Sequence, residues 1–169
     1  MAEPWVSPLR GRSGFFDTPL YRGAAMKVDA ILKEKGGRVV TIRPETPVDL
    51  AIRRMKLERI GAVVVSQDGD TIAGILSERD VVYGFVEHGI GLLQLKAADL
   101  MTHEVLICSR QDSIQSIMSR MTHSRVRHLP VVENGQLCGI VSIGDAVKHR
   151  LAEVELEANV LRDAYLAVR

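Results

Sequence analysis

Two short stretches of this 169-residue chain carry the same chemical groups at the same spacing: Ser77-Glu78-Arg79-Asp80 and Ser142-Ile143-Gly144-Asp145. Each places a hydroxyl three positions before a carboxylate, after an apolar run and at the start of a helical pattern. Such a pair closes the first turn of a helix, with the serine accepting from a backbone N–H and the acid lying at the positive end. The same geometry has a second use. Free N–H groups at a helix start attract an anion such as phosphate, and a carboxylate nearby accepts from a vicinal diol, as an acidic residue does for ribose in other nucleotide folds. One instance decides nothing between cap and site. Two equivalent instances point toward a pair of related sites.

The residues ahead of these stretches differ between copies. Arg125-Val126-Arg127-His128 stands where the first copy has Arg59-Ile60-Gly61-Ala62. Arg127 and His128 suit a phosphate, since arginine supplies a planar fork of donors, or else they form a solvated basic edge. Gly61 and Ala62 offer no charge. Elsewhere the chain has no nucleophile elbow, Walker loop, GxGxxG, HExxH or zinc-ligand spacing. His88, His103, His123, His128 and His149 are scattered, none at metal spacing with a cysteine or carboxylate. The expectation is a binding protein with no metal, not an enzyme.

What positions these groups is a duplication, residues 40–82 and 106–147. A repeat of this size predicts two similar halves packed on each other, with two related pockets between them. In each copy apolar residues step at i, i+3, i+4 and i+7: Val48, Ala51, Ile52, Met55, then Ile114, Ile117, Met118, Met121. Thr46-Pro47 and Asp112 with Gln115 are the expected caps. Short β runs follow at 62–65 and 129–132, then turns at Asp68-Gly69 and Asn134-Gly135, then strands at 72–76 and 137–141. Pro130 fits a strand only at its beginning or at an edge. The matched Gly74 and Gly139 predict a bulge or a close backbone approach. Toward the end, Val147, Leu151, Val154, Ala158, Leu161, Tyr165 and Val168 step alternately by four and three, a seam that packs along the body of its own chain or, the preferred expectation, serves homodimerisation.

Lysine plus arginine number 22 and aspartate plus glutamate 21, a net charge of +1. That balance argues against a nucleic-acid surface. The two cysteines, Cys108 and Cys138, sit in apolar stretches and read as reduced core thiols. No run is long enough to cross a membrane and no secretory signal opens the chain, so a cytoplasmic protein is expected. Residues 1–25, with Trp5, Phe15, Phe16 and Tyr21 among prolines and glycines, read as a flexible leader, a partner-binding arm or a targeting peptide.

The order of elements, the His-Leu-Pro-Val-Val strand (128–132), the glycine of Gly139-Ile140-Val141-Ser142 and the closing Ser-x-x-Asp together resemble a tandem pair of CBS domains, or Bateman module, over about residues 26–150. The resemblance implies an α/β (α+β) fold of two β-α-β-β-α units about a pseudo-twofold axis, at 26–92 and 93–150, with a C-terminal helix at 151–169. It implies two clefts for an adenosine-containing ligand: AMP, ADP, ATP, NAD(H) or S-adenosylmethionine. Carried over by residue, cleft A takes Ser142 and Asp145 for ribose, Arg127 and His128 for phosphate, and Val39, Val40, Ile60 and Gly61 as purine wall. Cleft B takes Ser77 and Asp80, with Arg79 for phosphate and Val105, Leu106 and Val126 as wall. Gly61 and Ala62, at the phosphate-facing positions of the first copy, imply unequal clefts. The function implied is regulatory sensing of adenine nucleotides by a homodimer acting on another protein. The alternative is a structural dimerisation or adaptor protein with vestigial pockets.

Overall fold

A computed structural model describes residues 26–167. The expected leader and Val168 lie outside the described residues. The elements run α1 (Val28–Lys35), β1 (Thr41–Ile42), α2 (Val48–Glu58), β2 (Ala62–Val65), β3 (Gly74–Ser77), α3 (Glu78–His88), a 3-10 turn (Gly89–Gln94), α4 (Ala97–Leu100), α5 (Ile114–His123), β4 (His128–Glu133), β5 (Gln136–Ser142) and α6 (Ile143–Ala167). This is the mixed α/β architecture expected, two copies of one helix-and-hairpin unit.

In the first half β1 runs parallel to β2, which pairs antiparallel with β3. In the second, β4 and β5 form a hairpin, and the counterpart of β1 shrinks to a single parallel bridge between Cys108 and Val131. Pro130 is tolerated at that thin edge. Its carbonyl accepts from Cys108 N at 3.0 Å, so its donorless nitrogen faces the same side, away from β5. Asn134 (φ 51°) and Gly135 (φ 80°) give the tight primed turn that closes β4 on β5. A bulge lies at Val131/Val132.

Both matched glycines mark close approaches. A Cβ on Gly139 would sit 2.7 Å from Leu32 Cδ2, and one on Gly74 would meet the Met101 side chain and lie 2.9 Å from the carbonyl oxygen of Thr102. Leu32 and Met101 come from segments outside the repeats: Leu32 leads into the first half and packs on the second, and Met101 leads into the second and packs on the first. Val28, Ile31 and Leu32 join Ile114, Ile117, Met121, Leu129, Val131 and Val141 in one core; Ala97 joins Ala51, Met55, Val63, Val65 and Leu76 in the other. The backbone repeats the exchange. Ile114 N donates to Met26 O and Val28 N to Asp112 O, while Val48 N donates to Leu95 O and Ala97 N to Thr46 O. Each core therefore includes side chains from the segment that leads into the other half, whose burial is favourable at about 25 cal/mol per Å² of apolar surface.

Two expected caps are corrected. Helix α2 starts from Pro47 without a side-chain cap, because Thr46 Oγ1 accepts from Arg43 N instead. Helix α5 is capped by Ser113, which accepts from Ser116 N; Asp112 turns back to accept from Ser109 N. The expected strand at 72–76 begins only at Gly74, after the Asp68 carboxylate has gathered the amides of Asp70 and Thr71 into a turn. Helix α6 runs unbroken through residue 151. It buries Ala146 against the body and leaves Leu151, Leu156 and Leu161 exposed. Cys108 is buried and Cys138 half-buried, both free, and burial pushes the Cys108 thiol up to about 12.

Candidate functional site: two clefts between the halves

The Ser-x-x-Asp stretches form the same structure twice. Ser77 is the N-cap of α3: Asp80 Oδ2 accepts from Ser77 N at 2.7 Å and from its hydroxyl at 2.6 Å. At the start of α6, Asp145 Oδ2 accepts from Ser142 N at 2.8 Å and from its hydroxyl at 2.9 Å, while Asp145 N donates to Ser142 Oγ at 3.2 Å. The acid therefore closes the cap in both halves. Each cap also opens onto a cleft.

Cleft A, about 270 Å³, brings together Ser142, Asp145, His128, Val39, Val40, Ile60 and Gly61. Cleft B, about 250 Å³, gathers Ser77, Asp80, Arg79, Val105, Leu106 and Val126. In each, the capped helix start comes from one half and the segment before the first strand from the other. The exception is Arg127, expected in cleft A and found lining cleft B. Arg127 turns toward the α3 side, and its carbonyl accepts from Ile143 N at 2.9 Å. His128 lies between the clefts and lines both, as does Gly61. The glycine makes room for the imidazole: a Cβ there would stand 3.2 Å from His128 Cε1 and 3.3 Å from Glu78 Oε2.

Cleft A takes its other cations from residues that sequence reasoning passed over. Lys35 ends α1 and pairs with Asp145 at 2.7 Å; Arg38 follows, and Arg59 closes α2. Burial pushes the Asp145 carboxyl up, but hydrogen bonds from Lys35 and Ser142 outweigh it and hold the group below its ordinary value. Cleft B gains Thr102, Glu104, Ser124 and Arg125. Arg59 and Arg125 both sit at φ 54°, a left-handed conformation uncommon for a side-chain-bearing residue. The signal was available: both arginines begin the four-residue stretches compared above. Burial lowers the His128 imidazole, with Glu78 pulling the other way.

Among the described residues no cluster of three or more histidine, cysteine or carboxylate side chains is placed to hold a metal ion. No described helix is long and apolar enough to cross a membrane.

The CBS domain model matches residues 35–87 and 97–152, well over half the chain. A crystal structure of a CBS-domain-containing protein from Agrobacterium tumefaciens is 40% identical, with a TM-score of 0.72, covering 74% of this chain and 99% of that one. The mitochondrial CBS domain-containing protein CBSX3 of Arabidopsis thaliana is 30% identical over 129 residues, which are 72% of this chain and 63% of the relative. A second protein from that plant, CBSCBSPB2, is 24% identical, and the match spans 26% of its length. The chain thus spans less than two thirds of these curated relatives. A CBS domain pair solved with 5′-methylthioadenosine and S-adenosylmethionine shares the fold at 15% identity, with a TM-score of 0.68 over 76% of this chain and 98% of that one. On its family match and its two-unit fold, this chain belongs to the CBS domain family as a tandem pair.

Proposed function

We propose that this CBS pair is a regulatory module that binds an adenosine-containing ligand in the clefts between its halves. The observation that carries the reading is the repeated juxtaposition of a capped Ser-x-x-Asp helix start with an apolar wall from the opposite half. The helix start favours an anion, and the carboxylate accepts from the ribose diol. The wall (Val39, Val40 and Ile60 in cleft A; Val105, Leu106 and Val126 in cleft B) offers apolar side chains to the base. A fold relative carries two adenosine compounds, which supports the ligand class. AMP, ADP, ATP and NAD(H) share the adenosine group the clefts would recognise. Occupancy regulates another protein only by differing in affinity between two states of the module. The exposed apolar residues of α6 and of α3 (Val82, Phe85, Val86) suit a homodimer through which that difference passes. A cytoplasmic location belongs to the same reading.

Those faces also favour a second reading, a dimerising adaptor whose pockets are vestigial. The test is a thermal melt with AMP, ATP, S-adenosylmethionine and NADH. At a hundredfold excess over Kd a ligand stabilises by about 2.7 kcal/mol, and each kcal/mol raises the melting temperature by roughly 2–4 °C in a chain of this size. Asp145→Asn, which keeps an acceptor for the cap, should remove most of the rise seen with AMP. Unchanged melting with all four compounds would leave the adaptor.

A further inference from the structure

Charge separates the two clefts more than shape does. Lys35, Arg38 and Arg59 line cleft A against the single acid Asp145. In cleft B, Arg79, Arg125 and Arg127 face Glu78, Asp80 and Glu104. One cleft carries a surplus of two cations; the other balances. The difference comes from corresponding places in the two halves. Ser66 N donates to Ile42 O as Val132 N donates to Cys108 O, so Ile42 corresponds to Cys108 and, four residues earlier, Arg38 to Glu104. A cation thus faces one cleft where an anion faces the other. Lys35 lies on the part of α1 that α4 lacks, since α1 has 8 residues and α4 has 4. The cleft A cations are partly engaged: Lys35 with Asp145, and Arg38 with Glu58 at 3.3 Å. Arg38 is 74% exposed, and an exposed pair of that kind is weak enough for a bound anion to take its arginine. In cleft B, Arg79 is held by the carbonyl of Arg125.

We infer that the clefts divide adenosine ligands by charge: cleft A takes an adenosine 5′-phosphate, and cleft B takes an adenosyl compound whose 5′ substituent carries no net negative charge. This rests on the adenosine-binding reading above. A 5′-phosphate brought into cleft B meets Glu78 and Glu104 as well as the arginines. In cleft A it finds only Asp145 opposed to three cations.

AMP and adenosine share base and ribose and differ by the phosphate, so calorimetry with both probes isolates the charge. AMP should fill one site per chain, and Arg38→Glu should weaken it about tenfold, the scale of a charge reversal near the surface. Asp80→Asn should leave AMP within twofold and abolish the adenosine site that persists in Arg38→Glu. Glu104→Arg should create a second AMP site. Raising salt from 50 to 300 mM should weaken AMP and spare adenosine. Two AMP sites within threefold of each other in the unaltered chain would overturn the division, as would loss of AMP on Asp80→Asn. If neither probe binds at all, the adenosine reading falls as well. Arg38→Glu and Glu104→Arg alter cleft-edge side chains and not the cores, so neither variant depends on refolding the core.

Discussion

The first and second halves repeat their caps to within 0.3 Å in the serine–aspartate hydrogen bonds, yet the clefts those caps open onto differ in charge. The repeats proper supply what is shared: helix starts, hairpins, left-handed Arg59 and Arg125, and glycines that admit a neighbour. Much of the difference enters from the segments that precede the first strand of each half. Those segments are exchanged, so the stretch entering the first half helps to complete the core of the second, and the reverse. A duplicated fold can keep its backbone bonding while its clefts diverge, provided the divergence sits on connections and edges.

The exchange can be broken directly, and this carries the largest expected effect. Leu32 is 3% exposed and fills the space left by Gly139 in the half to which α1 is not adjacent in sequence. Leu32→Ala should cost about 2–5 kcal/mol in urea unfolding, the range for a buried leucine. Hydrogen exchange should place the loss of protection in β4 and β5, not in β2 and β3. Equal loss in both hairpins, with the two halves melting as one, would show that the two cores are not separable.

Next come the glycines that receive the exchanged side chains. A methyl at Gly139 meets the end of Leu32, which has rotamers to yield; a methyl at Gly74 meets Met101 and the backbone oxygen of Thr102, and a backbone atom yields less readily. Gly139→Ala and Gly74→Ala should both destabilise, within the roughly 1–3 kcal/mol typical of overpacking, with Gly74→Ala the costlier. Chemical denaturation of the pair decides the order; equal costs would make the halves mechanically alike at this contact, and the reverse order would show that the Thr102 backbone yields more readily than Leu32.

Much of this was legible in the residues. Period 3.6 placed both core helices, Asn-Gly marked the hairpin turn, and Ser-x-x-Asp located both helix starts because a cap is local chemistry. The clefts gathered most of the residues assigned to them because the wall and cap positions sit at matching places in the two copies. Three things were not legible, each for a non-local reason. Thr46 and Asp112 have capping chemistry but spend it on preceding turns. Which half a flanking helix packs against is not encoded in its own periodicity, so the exchange, and with it Lys35, stayed hidden. Arg127 and His128 are neighbours in sequence and both line cleft B, but only His128 also reaches cleft A, because Gly61 of the other half leaves room for its imidazole.

The smallest effect expected concerns His128, the side chain that both clefts share and whose counterpart is Ala62. Burial lowers its affinity for a proton, while Glu78 and Asp145 pull the other way and Lys35 and Arg127 add to the lowering. A histidine whose folded pKa is depressed binds its proton more readily in the unfolded chain, so stability is complete above the unfolded value, about 6.5, and falls as pH drops below it. Melting temperatures between pH 7.5 and 5.5 should therefore decline in the unaltered chain, and His128→Ala, which gives the second half the residue of the first, should flatten part of that slope. The comparison uses slopes because the shortened side chain lowers the baseline at every pH. It also cancels the other histidines, which both proteins share, including His149, 3.0 Å from Glu34. Identical slopes would mean that the imidazole between the clefts exchanges its proton as freely folded as unfolded. The divergence from Ala62 would then have no consequence for pH, leaving the charge of the cleft edges as the main chemical difference between the halves.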